Sequence, residues 1–230
     1  MTRQHLTALL AVTAIFALPT IVRAGMIEIS MAGTSLTYSD PDGSGAGTGT
    51  LTNSGGATDS LSSLTTTEDG GTLGVLVNPP TPLAFDLDVS GIPSITLPPA
   101  NGSTSVTAPA GGSFELFVDG STALELDLDS VEVVYTRLSI SSFDIRVLFA
   151  GTVGEIAQQD LPFDVKVAEP VTLTFNLQQG TSTDDGTHLI SYVGNGTGVI
   201  SSVRVPEPST MLLAGSCLAG LALIRRRMQS

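Results

Sequence analysis

Calcium is the sharpest chemistry that the residue types suggest. It takes six to eight oxygens from carboxylates, carbonyls and water. Asp40-Pro41-Asp42-Gly43-Ser44-Gly45 sets two carboxylates in a glycine-rich loop, and Asp184-Asp185-Gly186 and Asp119-Gly120 are shorter loops of the same kind. None is an EF-hand loop: in the first, Ser44 stands at the fifth position and Gly43 comes two places early. Glu125-Leu126-Asp127-Leu128-Asp129 would project three acids from one strand face, about 7 Å apart. That is wide for one ion unless a neighbouring strand contributes, and a solvated acidic face is the simpler expectation.

Glycoside chemistry needs two carboxyl groups facing each other across a cleft. Glu115, Glu125, Asp127, Asp129 and Glu132 qualify by type, but sugar clefts usually add aromatic platforms. The chain has no Trp and only Tyr38, Tyr135 and Tyr192. Beyond the N-terminal segment the one histidine is His188, beside a turn on the same strand face as Ile190 and Tyr192. There is no Gly-x-Ser-x-Gly elbow and no His-Glu-x-x-His helix, so serine-hydrolase and zinc-protease chemistry lack their parts. The alternating Gly43, Gly45, Gly47 and Gly49 lack the register and the following helix of a phosphate loop. No catalytic, cofactor-binding or metal residue is therefore assigned. Calcium is the one cofactor the loops could hold.

Charge narrows the partners. Residues 25–205 hold 21 acids against Arg137, Arg146, Lys166 and Arg204, a formal charge of −17. Such a surface repels phosphate backbones, which excludes nucleic acid as a partner. Apolar residues make up 41% and mean hydropathy is +0.32, enough for a core and too much for an acidic disordered chain. With no Trp, that core must be built mostly of Val, Leu and Ile. The single cysteine, Cys217, rules out a disulfide or zinc framework within one chain.

The two ends read as addresses. Residues 1–24 have a basic start at Arg3, an apolar run from Leu6 to Leu18, Pro19, and Val22-Arg23-Ala24 before Gly25. This is the pattern of a secretory signal cut between Ala24 and Gly25 by signal peptidase. At the other end, Pro206-Glu207-Pro208 precedes the apolar stretch Met211–Ile224, and Arg225, Arg226 and Arg227 form a basic stop. Fourteen residues of helix rise about 21 Å, so 211–224 is expected to be a short transmembrane helix helped by snorkelling arginines. The basic cluster should stay cytoplasmic while the middle of the chain is exported. The two prolines keep the preceding peptide extended and accessible. Ala214-Gly215-Ser216 before Cys217 lacks the Leu of a lipidation site.

This tail resembles a PEP-CTERM sorting signal, over about 25 of the 230 residues. The resemblance implies export, an inner-membrane intermediate, and processing by an exosortase, a membrane cysteine transpeptidase-like enzyme. It also implies a place at the cell surface or in the extracellular matrix, often in exopolysaccharide producers. The same tail is also called an ice-binding protein C-terminal domain, a label that does not imply ice binding.

Whatever the middle does must be positioned by strands. Leu83, Phe85, Leu87 and Val89 alternate with polar or small residues, as do Leu124, Leu126 and Leu128, then Phe143, Ile145, Val147 and Phe149. Leu161, Phe163, Val165 and Val167 continue the pattern, followed by Val171, Leu173, Phe175 and Leu177. This period of two is that of half-buried antiparallel strands. Further strands are expected at 26–30, 34–38, 72–77, 92–97, 113–118, 131–140, 187–193 and 198–204. Turns are expected at Pro79-Pro80, Pro98–Gly102, Gly111-Gly112, Asp184–Gly186 and Gly194-Asn195-Gly196. Residues 39–72 are expected to form an irregular insertion with an edge hairpin.

With no crossover helices, the expected fold is all-β, an antiparallel jelly-roll-like β-sandwich at 25–205, between the signal peptide at 1–24 and the sorting tail at 206–230. Phe85, Leu116, Leu126, Val133, Ile145, Phe163 and Phe175 should be buried. The expected function is a non-catalytic exported surface or matrix protein. The alternatives are an exopolysaccharide-binding module, favoured by the three tyrosines on one exposed face, and a secreted glycoside hydrolase, favoured by a buried carboxylate pair.

Overall fold

The computed structural model describes residues 26–41, 49–53, 59–139, 143–154 and 170–203. The signal segment with Ala24 and Gly25, the strand expected at 161–167 with Phe163, and the whole tail from Pro206 to Arg227 lie outside the described residues. Eleven strands follow one another: β1 (Met26–Ser39), β2 (Gly49–Asn53), β3 (Asp59–Ser60), β4 (Ser63–Glu68), β5 (Gly71–Val77), β6 (Leu83–Ile92), β7 (Gly102–Val118), β8 (Ser121–Arg137), β9 (Phe143–Val153), β10 (Val171–Asp184) and β11 (Leu189–Val203).

All pairings are antiparallel, and the sheet runs β11-β10-β9-β8-β7-β6-β2-β1. It then closes on itself, because β1 pairs with β11 from Met26↔Val203 to Ser39↔Ser191. The result is an eight-stranded up-and-down barrel, which corrects the expected β-sandwich. The all-β, antiparallel part of that expectation holds. Period-two alternation reports only that each strand has a wet and a dry face. Whether the first strand meets the last is a long-range fact that the alternation does not carry. Between β2 and β6 the chain makes an excursion: β3 pairs with β6, β4 lies along Ile27–Ala32 of β1, and β5 lies outside β4. Leu51, Leu61 and Leu64 from the stretch expected to be irregular are fully buried, its described segments β2, β3 and β4 are strands of the sheet, and β4 with β5 makes the edge hairpin.

Bulges let long strands curve into a barrel, and each moves the inward side by one residue. In β1, Ile27, Ile29 and Met31 face in before Gly33, whose φ is +82°, and Thr34, Leu36 and Tyr38 face in after it. The expected strands at 26–30 and 34–38 are therefore one. In β8, Leu124, Leu126 and Leu128 point inward, then Val131, Val133 and Tyr135, with the register shift between Leu128 and Ser130. Those two expected strands are also one.

Gly111-Gly112 is not a turn but an irregularity inside β7. Gly194-Asn195-Gly196 is likewise mid-strand in β11. Its glycines are there for space: a Cβ on Gly196 would sit 1.8 Å from the Asn176 carbonyl oxygen, and one on Gly194 would sit 2.5 Å from the Tyr192 ring. The segment expected as a strand at 92–97 makes only the isolated bridge Thr96↔His188 beyond the end of β6.

Phenylalanines cluster in the interior. Phe85, Phe114 and Phe175 stand 6.1–6.3 Å apart, and Phe149 meets Phe175 edge-on at 6.4 Å. Such pairs add to the stabilisation from area burial alone. Phe85, Leu116, Leu126, Val133, Ile145 and Phe175 are all buried, as expected.

Candidate functional site

The acidic strand face comes first. Glu125 on β8 lies opposite Glu115 on β7, which lies opposite Asp86 on β6. One step along, Asp88, Ser113 and Asp127 form the next row. The neighbouring strands that a metal site would need do bring carboxylates. They bring them edge to edge on the outer wall rather than around a point. Burial raises the Glu115 pKa from its ordinary value, and the charges of Glu125 and Asp86 raise it further. Asp86 is raised by burial and by Asp88. Asp129 falls in the bulge, outside this register. Among the described residues no group of three or more His, Cys, Asp or Glu side chains is placed to hold a metal ion.

The loop acids have other work. Asp119 and Gly120, both with positive φ, form the tight turn between β7 and β8, a hairpin signal. In the turn after β10, Asp184 Oδ1 accepts the Gly186 N–H at 3.0 Å, while Asp185 Oδ1 accepts those of Thr187 and His188 at 2.7 and 2.6 Å. These bonds from His188 and Thr187 hold the Asp185 carboxyl below its ordinary pKa. The His188 ring lies 3.8 Å from Asp185 Oδ2, part-exposed beside a surface turn.

Asp40, the first residue of the glycine-rich loop, is fully buried at the same barrel end. It accepts a short hydrogen bond from the Ser94 hydroxyl and a 3.5 Å contact from the Tyr38 hydroxyl, while its N–H donates to the Ile190 carbonyl at 2.7 Å. Asp42, Gly43, Ser44 and Gly45 lie outside the described residues. The Asp40–Ser94 contact was not legible in the sequence. The two are 54 residues apart, and nothing local marks Asp40 as the loop acid that turns inward.

The three tyrosines also point inward. Tyr38 and Tyr192 face each other across β1 and β11, and Tyr135 stacks on Phe143 at 5.6 Å. Their exposures are 0%, 1% and 0%. They do not form the exposed face that would have favoured a carbohydrate platform. Burial raises all three phenol pKa values. Asp40 adds to the effect at Tyr38, and Asp144 at Tyr192, which reaches about 12.

The described chain is thus a closed antiparallel β-barrel, with Asp119 and Asp185 in turns, Asp40 in the core and the Asp86–Glu115–Glu125 row on the outer wall. The specific signal lies beyond it: the chain carries a PEP-CTERM protein-sorting motif, matched at residues 204–227. That motif implies export, sorting to the cell surface and an exosortase as processing partner. No curated protein and no solved structure matches the chain.

Proposed function

We propose that the chain is an exported, non-catalytic cell-surface or extracellular-matrix protein, an acidic β-barrel that an exosortase sorts and processes through the tail. The observation that carries this reading is the sorting motif at 204–227. In it, Pro206, Glu207 and Pro208 present the processing segment, 211–224 holds it transiently at the inner membrane, and Arg225–Arg227 anchor the cytoplasmic end. Signal peptidase removes 1–24 at Ala24-Gly25. The barrel supports the non-catalytic part of the reading: His188 sits at a surface turn, the outer acids stand in rows, and the buried Asp40 is taken up by Ser94 and Tyr38.

Replacing Pro206, Glu207 and Pro208 together by Ala in the native host tests it, with the mature C terminus read by mass spectrometry. The expected outcome is a retained tail and loss of surface sorting. Unchanged processing and unchanged localisation would overturn the reading.

A further inference from the structure

We propose that β5 is a self-association edge, pairing antiparallel with β5 of a second copy of this chain. Among the described residues β5 ends the sheet path, bonded to β4 on one side only. Its outward residues Leu73, Val75 and Val77 are 46%, 53% and 51% exposed. Open edges are ordinarily guarded by charge, proline or a covering element. Here every residue from Gly70 to Phe85 is uncharged, and the prolines come only after the strand, at Pro79, Pro80 and Pro82.

Charge distribution selects the occupant. Asp86, Asp88, Glu115, Glu125, Asp127 and Glu132 all stand on β6–β8. On the other side of the barrel the pairing registers give neutral rows. One runs Thr174, Val199, Ser30, Thr65 and Val75 across β10, β11, β1, β4 and β5. The next carries Glu28, and at the start of β5 Glu68 stands opposite Gly71 with Asp69 in the turn, so the neutral stretch of the edge is Leu73–Val77. A basic partner would be drawn to the β6–β8 wall, not to this edge. A second acidic copy meets the least like-charge repulsion where both surfaces are neutral, and Leu73–Val77 of β5 is such a place.

The sequence of the edge is also complementary to itself. A two-fold axis through Val75 sets Val75 against Val75 and Leu73 against Val77 on the outer face, and Gly74 against Leu76 on the inner. Seven residues form a small interface, so the association is weak in dilute solution and grows where copies are concentrated on a surface.

The test uses the full chain in mild detergent at about 100 µM, with its mass read by native mass spectrometry. Wild type should be a dimer. Val75→Lys should shift the mass to one chain, an association weakened about tenfold or more, with an unchanged melting temperature because Val75 packs into no core. In a Cys217→Ala background, Val75→Cys should cross-link on oxidation, since facing Cα atoms lie roughly 4.5–5.5 Å apart. Val77→Cys should not, its copies being about 14 Å apart along the strands. A monomeric wild type, a dimer that survives Val75→Lys, or equal cross-linking at both positions would each overturn the proposal. A monomer whose β5 amides resist hydrogen exchange would show instead that the chain's own segments cover the edge.

Discussion

Raising the pH should unfold this barrel from within, and its tyrosines should report the event. The chain has three tyrosines, and all three are sealed in the interior. In the unfolded chain each ionises near pH 10. In the folded chain burial holds each above that, with Tyr192 pushed up to about 12 and Tyr38 higher still beside Asp40. The folded state thus keeps its phenol protons where the unfolded state gives them up. The stability these groups provide is complete below pH 10. It falls as pH rises through 10 to 12 for Tyr192, and falls further for Tyr38.

One unit above the unfolded pKa, each strongly protected tyrosine costs about 1.4 kcal/mol, so Tyr38 and Tyr192 together remove about 3 kcal/mol by pH 11, and Tyr135 acts in the same direction. That is a large part of the roughly 5–15 kcal/mol typical of a domain. Tyrosinate absorbance followed alongside circular dichroism during alkaline titration is the assay. The absorbance should stay flat through pH 10 and then rise in one step, coincident with loss of the strand signal. A gradual rise centred near pH 10 with the fold intact would refute the buried placement of the tyrosines, and with it the inward register of β1, β8 and β11.

Three further expectations concern the wall and the core. Phe175→Ala empties the centre of the aromatic cluster and should cost about 3–5 kcal/mol in denaturant melts; a loss below 1 kcal/mol would place Phe175 outside the core. Glu115→Gln removes the middle carboxylate of the Asp86–Glu115–Glu125 row and should stabilise the barrel at pH 7 by about 0.2–1 kcal/mol at low salt. Because the folded-state pKa of Glu115 is raised, its cost is present at neutral pH and relieved as pH falls through that value. The gain from the substitution should vanish in acid, and a gain that persists there would point to another cause. Calcium chloride and sodium chloride matched in ionic strength should raise the melting temperature equally, through screening alone. An excess with calcium that Asp42→Ala or Asp185→Ala abolishes would establish a metal site in that loop.

Much of the fold was written in local alternation. Phe85, Leu116, Leu126, Val133, Ile145 and Phe175 were identifiable as core because each recurs every second residue among apolar neighbours. The places where that reasoning fails share one cause, which is that glycine and acidic residues serve two purposes. Glycine beside Asn reads as a turn because it permits positive φ. Yet Gly194 and Gly196 are small to admit the Tyr192 ring and the backbone of β10. Gly33 does have positive φ, and it spends it on a bulge that shifts the face of β1 without ending the strand.

The acids behaved in the same way. Asp119 makes a hairpin, Asp185 caps its own turn, and Asp40 goes to the interior. No local feature separates these fates, because each is decided by what the closing of the barrel brings opposite: Pro82 for the Asp119 amide, Ser94 for the Asp40 carboxylate. Closure itself joins residue 26 to residue 203, and no window along the sequence spans that distance. The sorting tail was legible for the opposite reason. Pro206-Glu207-Pro208, the apolar run 211–224 and Arg225–Arg227 follow one another within about 25 residues, so composition and order alone carry the signal.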